Sequence, residues 1–285
     1  MIVKDHFRKS YTGANYANIQ NHKRNCLKMN LHFDINLAKG YKSPSQIVRV
    51  LTENWMAINM YCPNCGCNHI KKAPNNRPVQ DFLCPQCNEQ FELKSKNAKS
   101  IGKKIDDGAY HTMIERIQSN DNPNFFFLMY KKADYSVQQL ILVPKHFMTV
   151  DMIIRRKPLS ETASRKGWIG CQIDMSRLPE SGKILLIDQA KVIEPERVHQ
   201  QWQSNLFLRN QKAASKGWLL AIIKCIEQLP EKFDLKQLYK FEEQLAAQFP
   251  NNKHIKDKIR QQLQILRDQN IVEFSARGHY RKLQP

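Results

Sequence analysis

The chain has 285 residues, room for two domains with real cores, and its 45 Lys and Arg against 26 Asp and Glu give a formal net charge of +19. That balance points to a polyanionic partner, nucleic acid first and an anionic membrane surface second, and argues against an acidic surface that would repel either. No apolar run reaches the length of a bilayer span and residues 1–28 lack the apolar core of a signal peptide, so a cytoplasmic protein with no membrane partner is expected.

Residues 1–28 are polar, rich in Asn, Tyr and basic residues, and carry neither a helical nor a strand period. They are expected to be a disordered extension, with translation starting at Met29 as the plainest account and a basic arm touching phosphate as the alternative. From Leu31, Leu-His-Phe-Asp-Ile-Asn-Leu alternates apolar and polar, and Ser43-Pro44-Ser45-Gln46 reads as a capping box with Pro in the first turn. The following helix places Ile47, Val50, Leu51, Trp55 and Ile58 on one stripe. Glu53 on that helix reads as solvated surface.

Cys62-x-x-Cys65 and Cys84-x-x-Cys87 come next, each with a proline after its first cysteine (Pro63, Pro85) to pre-set a tight turn. Four thiolates at this separation suit tetrahedral Zn²⁺ in a closed shell, which makes the metal structural rather than catalytic. Cys67 fits a knuckle less well and stays outside the set. Cys26, Cys171 and Cys225 are scattered, in keeping with a reducing compartment.

Asp81 lies between the knuckles, and Phe91-Glu92-Leu93-Lys94 alternates as a half-buried strand does, so Glu92 and Lys94 share a face. A hairpin turning at the second knuckle brings Asp81 beside Glu92, and two carboxylates with one ammonium make a site for a hard cation, Mg²⁺, and a phosphate substrate. Asp234-Leu235-Lys236 has similar spacing but opens an amphipathic helix, where residues two apart do not face one another.

Beyond Lys94, a Lys-rich loop over Lys96 to Lys104 is expected to contact phosphates. A helix from about Asp107 to Gln118 turns Ala109, Met113 and Ile117 inward. Asn124 to Tyr130 and Gln139 to Val143 are continuous apolar strands of a buried sheet, and Lys183 to Asp188 adds a late strand. In the basic stretch between them, Gly167 and Gly170 flank Trp168, which from the residues alone is either a core side chain or one placed where bases can meet it. Residues 210–216 turn small and polar and read as a linker. From Gly217 the pattern is helix, helix, helix, hairpin, the arrangement of a winged helix. The third helix buries Ile255, Ile259, Leu263 and Leu266. Lys253, Lys256, Arg277 and Arg281 are expected at phosphates, and Asn252, Arg260 and Gln261 at base edges.

These residues carry a resemblance. Asp81 with Glu92-x-Lys94 resembles the PD-(D/E)xK nuclease superfamily, with Pro78 three residues ahead of Asp81. The stretches Asn-Asn-Arg-Pro-Val-Gln-Asp-Phe, Phe-Glu-Leu-Lys-Ser-Lys, Asp-Asp-Gly-Ala-Tyr, Asn-Pro-Asn-Phe-Phe-Phe-Leu, Gly-Trp-Ile-Gly-Cys and His-Ile-Lys-Asp-Lys-Ile-Arg-Gln-Gln-Leu-Gln-Ile-Leu-Arg-Asp resemble, in order from Met29 to about Leu283, the DpnI-type methyl-directed type II restriction endonucleases.

The resemblance implies an α/β PD-(D/E)xK nuclease core with an embedded four-cysteine zinc site over residues 29–209, the linker 210–216, and a winged-helix DNA-binding domain over 217–285. It further implies Mg²⁺-dependent hydrolysis of double-stranded DNA at GATC containing N6-methyladenine, leaving 5′-phosphate ends, by a monomer that cuts the strands successively. Asp81, Glu92 and Lys94 would be the catalytic residues, the two carboxylates holding Mg²⁺. Trp168 would lie against the methylated bases, and Glu53, on the first helix, could instead assist the metal. The competing reading is a non-catalytic zinc and winged-helix DNA-binding regulator, which leaves Asp81, Glu92 and Lys94 without a task.

Overall fold

Every residue from Asn124 to Tyr130 is buried, so this strand has no face for water and must run through the interior of a covered sheet. The computed structural model, which describes residues 29–73, 80–119, 122–211 and 213–283, places it there. The expected extension 1–28 and Pro78 lie outside the described residues.

The strands in chain order begin with β1 (Lys71–Lys72), β2 (Phe82–Leu83), β3 (Gln90–Asn97), β4 (Lys104–Ala109), β5 (Asn124–Lys131) and β6 (Ser136–Val143). They continue with β7 (Ile153–Arg155), β8 (Gly170–Asp174), β9 (Ile184–Asp188), β10 (Lys191–Val192), β11 (Lys232–Asp234), β12 (Val272–Ala276) and β13 (His279–Lys282). The α-helices are α1 (Pro44–Asn59), α2 (Tyr110–Gln118), α3 (Pro195–Ser204), α4 (Ala213–Glu227), α5 (Leu235–Tyr239), α6 (Glu242–Gln248) and α7 (Ile255–Asp268).

The chain divides into two compact units, of which the first comprises Met1–Gly102, Asp121–Lys145 and Lys183–Gln203. Its sheet runs β1-β2-β3-β5-β6-β9-β10. The β3–β5 pair is parallel and its neighbours are antiparallel, so the expected mixed sheet is formed. Phe91 of β3 stacks on Phe126 of β5 at 5.1 Å between ring centroids. Asn124 anchors the start of β5: its amide donates to Glu89 and to the Gln90 carbonyl, both at 2.9 Å, and its oxygen accepts from Lys145 N–H at 2.9 Å.

Helix α1 starts at Pro44, yet the expected capping box is not made: Ser43 gives no side-chain cap, and its hydroxyl meets that of Ser45 instead. The buried face is Leu51, Thr52, Trp55 and Met56, while Ile58 is 72% exposed, because the 3.6-residue period carries position 58 past the edge of the stripe.

The second unit comprises Lys103–Asn120, His146–Gly182 and Ser204–Pro285. A three-stranded sheet, β4-β8-β7, carries α2, and a second one, β11-β13-β12, closes the C-terminal helices as a wing. Here several expectations are corrected. Helix α2 begins at Tyr110 rather than Asp107, because the residues before it pair with β8, Asp107 opposite Cys171 and Ala109 opposite Gly170. In the first unit, Lys96 is not in a loop but in β3, opposite Met129 of β5. The second C-terminal helix is interrupted at Lys240 and Phe241 into α5 and α6. Asp234 does open α5, and its carboxylate and the Gln237 side chain complete a reciprocal capping box. The first turns of α4 occupy residues 213–216, the second half of the expected linker. The third helix keeps its buried stripe of Ile255, Ile259, Leu263 and Leu266, with Gln262 added.

Asn124 satisfies three partners from a fully buried position. Asn124→Ala is expected to cost about 2–4 kcal/mol, since it strands a carboxylate and backbone groups away from water. Urea unfolding with an unchanged slope checks this.

Candidate active site and metal centre

The two knuckles fold by the same local rule. In each, the amide four residues after the first cysteine donates to that cysteine's carbonyl, Gly66 to Cys62 at 2.9 Å and Asn88 to Cys84 at 3.0 Å. Both turn residues have positive φ, +71° at Gly66 and +58° at Asn88, the conformation that Gly and Asn adopt most readily. The Sγ atoms of Cys62, Cys65, Cys84 and Cys87 all lie within 4.8 Å of one another, with Cys62–Cys87 and Cys65–Cys84 at 3.5 Å. A tetrahedral ion with bonds of about 2.3 Å sets its sulfurs about 3.8 Å apart, so the donor set and its size both fit Zn²⁺. Hydrogen bonds from Cys62 and Cys65 hold the Cys84 thiol down at about 6, and Cys87 is lowered by the same neighbours. The expected exclusion of Cys67 agrees with the geometry: its thiol turns to the His69 carbonyl at 3.4 Å. Helix α3 braces the first knuckle, with His199 Nδ1 at 2.9 Å from the Pro63 carbonyl and Trp202 Nε1 donating to Asn64 at 2.9 Å.

The second knuckle is the turn of the β2–β3 hairpin. Antiparallel pairing of Phe82 with Phe91 and Leu83 with Gln90 leads back to Asp81, whose N–H donates to the Phe91 carbonyl at 3.0 Å. The Asp81 carboxylate then accepts from Leu93 N–H at 2.7 Å. Glu92 and Lys94, two apart on β3, meet through Oε1 and Nζ as their shared face requires. Asp81, Glu92 and Lys94 therefore line one cleft of about 560 Å³, together with Arg49, Glu53 and Ser95.

Glu53 is the residue that sequence reasoning placed elsewhere. It is not a free surface acid: its side chain is 19% exposed, ion-paired to Arg49 at 2.6 Å and Lys72 at 3.4 Å, in the same cleft as Asp81. The available signal was Thr52, a polar residue inside the buried stripe of α1, which marks where that helix turns polar groups toward the sheet. Burial pushes the Asp81 carboxyl up from its usual value; the Leu93 N–H opposes this and the Glu53 charge adds to it. Three carboxylates of hard oxygen around a cleft open to solvent are a donor set that fits Mg²⁺.

The expected DNA contacts fall on three places. Lys256, Arg260 and Gln261 are exposed along α7. There Lys256 pairs with Glu242 at 3.2 Å, Arg260 donates to Tyr239 Oη at 2.8 Å and pairs with Asp257, and Gln261 accepts from Lys258 at 2.7 Å. Asn252 and Lys253 precede the helix; the Asn252 side chain is spent on the His254 N–H at 2.8 Å, while Lys253 is exposed. Arg277 sits exposed at the wing tip, and Arg281 pairs with Glu273 at 2.8 Å. Trp168 lies on the connection from β7 to β8, half-buried rather than in the core.

Residues 29–211 match the model of the Dam-replacing family, and residues 214–282 match that of the Dam-replacing HTH domain. The chain belongs to the Dam-replacing family. Membership in the Dam-replacing family supports a methyl-directed restriction endonuclease, and the HTH match implies DNA binding. No helix among the described residues is long and apolar enough to cross a membrane.

The raised Asp81 carboxyl carries a sign. A folded-state value above the unfolded one means that ionised Asp81 destabilises the fold at pH above the ordinary carboxylate range, and that this cost vanishes below it. Asp81→Asn, which keeps an oxygen for Leu93 N–H, is expected to raise Tm at pH 7.5 and to lose that advantage near pH 3.5, about the ordinary carboxylate value. Parallel melts of the metal-free protein and its variant at the two pH values check this.

Proposed function

We propose that the protein is a Mg²⁺-dependent endonuclease that hydrolyses double-stranded DNA at GATC bearing N6-methyladenine and leaves 5′-phosphate ends. The observation that carries the reading is the single hairpin, closed by four cysteines, that delivers Asp81, Glu92 and Lys94 to one cleft. A regulator that only binds DNA has no use for that convergence.

Asp81 and Glu92 would hold Mg²⁺, which when bound polarises the scissile phosphate. The Leu93 N–H fixes the Asp81 carboxylate in its orientation. Lys94, held beside Glu92, orients the water that attacks in line and offsets charge growing on the phosphate. Zn²⁺ in the cysteine cluster is structural, since four protein sulfurs leave no position for water. Residues 29–209 form the nuclease domain and 217–285 the winged-helix reader. Lys253, Lys256, Arg277 and Arg281 hold phosphates, and Asn252, Arg260 and Gln261 reach base edges. The adenine methyl projects into the major groove beside one remaining N–H, so its reader needs an apolar surface, for which Trp168 is placed. The protein acts in the cytoplasm as a monomer.

One plasmid prepared with and without adenine methylation at GATC, incubated with Mg²⁺ and then with EDTA, tests the reading. Mg²⁺-dependent fragments from the methylated DNA alone are expected; cleavage of both plasmids removes the methyl requirement, and a gel shift with intact DNA in every lane favours the regulator. Glu92→Gln and Lys94→Ala should each lower the cleavage rate by at least about 100-fold while leaving the gel shift in place.

A further inference from the structure

Trp168 is held by its backbone and by a glycine. Its carbonyl accepts from Leu159 N–H at 2.9 Å and its N–H donates to the Arg165 carbonyl at 3.1 Å, while Gly167, at φ +73°, donates to Leu159 at 3.2 Å. The six-membered edge of the indole presses on Gly170: a Cβ there would stand 2.8 and 2.9 Å from Cζ3 and Cη2 of the ring. Gly170 is itself fixed, opposite Ala109 in the β4–β8 ladder and with its carbonyl accepting from Arg156 N–H at 3.0 Å. The ring is therefore set in place before any DNA arrives.

What covers it is a side chain free to leave. Arg165 is exposed, and its guanidinium lies over the Trp168 ring at 4.6 Å from the centroid. Its basic neighbours have acidic partners: Arg156 pairs with Asp106 at 3.7 Å and Lys166 with Glu161. Among the described residues Arg165 forms no ion pair, and the aromatic face takes that place. A guanidinium on a ring face is held weakly at an exposed site, and a phosphate is a stronger partner for it.

We propose that Arg165 is a specificity-determining residue: it covers the Trp168 ring in the free protein, moves to a DNA phosphate on binding, and makes the target base compete for the uncovered face. This rests on the reading that Trp168 meets the target base. A methylated adenine carries more apolar surface to the indole than an unmethylated one, so it displaces the guanidinium more readily. The cover raises discrimination because the poorer competitor is the more heavily penalised. Removing it exposes the ring to either base.

The test is the dissociation constant in EDTA for two duplexes of one sequence, with and without N6-methyladenine at a central GATC, for the wild type, Arg165→Ala and Trp168→Ala. Acrylamide quenching of the free proteins is measured alongside. Arg165→Ala is expected to lower the ratio of the two constants about fivefold, the scale of one exposed cation–π contact, and to make indole fluorescence more quenchable. A ratio that stays the same or rises, with both affinities falling in parallel as for a simple phosphate contact, overturns the proposal. Trp168→Ala separates the two levels. If it leaves the ratio at the wild-type value, the reading of Trp168 itself fails; if it abolishes the ratio while Arg165→Ala does not change it, Trp168 stands and the cover falls.

Discussion

The gathering of four sulfurs at the base of one hairpin is the constraint on which the rest of the first unit depends. β2 is two residues long and β3 is eight, and the short strand makes too few ladder bonds to fix a register alone. Closing Cys84 and Cys87 onto Cys62 and Cys65 fixes where the chain turns, and hence that Phe82 faces Phe91 and Asp81 meets Leu93. A slip by one residue would send Glu92 and Lys94 to the other face of the sheet. A structural zinc site contributes on the order of 10–16 kcal/mol, more than the net stability of most domains, so the register is held by coordination rather than by strand pairing.

That division of labour lets the cleft be electrostatically unfavourable. Asp81 is a partly buried carboxylate pushed toward its neutral form, with Glu53 nearby adding repulsion, and neither is what a fold selected for stability alone would retain. The surrounding structure compensates through Phe91 stacked on Phe126, through the all-buried β5, and through Asn124 tying the strand start to Glu89 and Lys145. The C-terminal module follows a different plan. Its buried stripe on α7 is apolar apart from Gln262, and the positive charge is spread over exposed side chains, many already paired with an acid, that phosphate can capture.

Much of this was legible in sequence because the signals were short-range and chemically distinctive. Cys-x-x-Cys with a following proline specifies a knuckle, alternation specifies that Glu92 and Lys94 share a face, and the i, i+4 stripe of α7 specifies its buried side. The misses share one cause, the dominance of tertiary pairing over local preference. Asp107 to Ala109 look helical until β8 offers them a ladder, and Lys96 looks like loop until β5 runs beside it. Glu53 was read as surface because its i, i+4 partner Arg49 makes an ordinary solvated pair; only the sheet beneath it turns that pair into part of a cleft. Contacts that depend on space alone, such as the indole edge against Gly170, leave no trace in spacing at all.

The central claim is that the cysteine cluster holds the acidic site in register, and the Leu93 amide reports on it directly because it donates to the Asp81 carboxylate. Amide hydrogen exchange at Leu93 should be followed as zinc is withdrawn by a chelator and then restored. The account predicts that protection at Leu93 falls in step with zinc content and returns with it. A Leu93 amide that stays protected in the zinc-stripped protein would show that strand pairing alone sets the site, and would contradict the account.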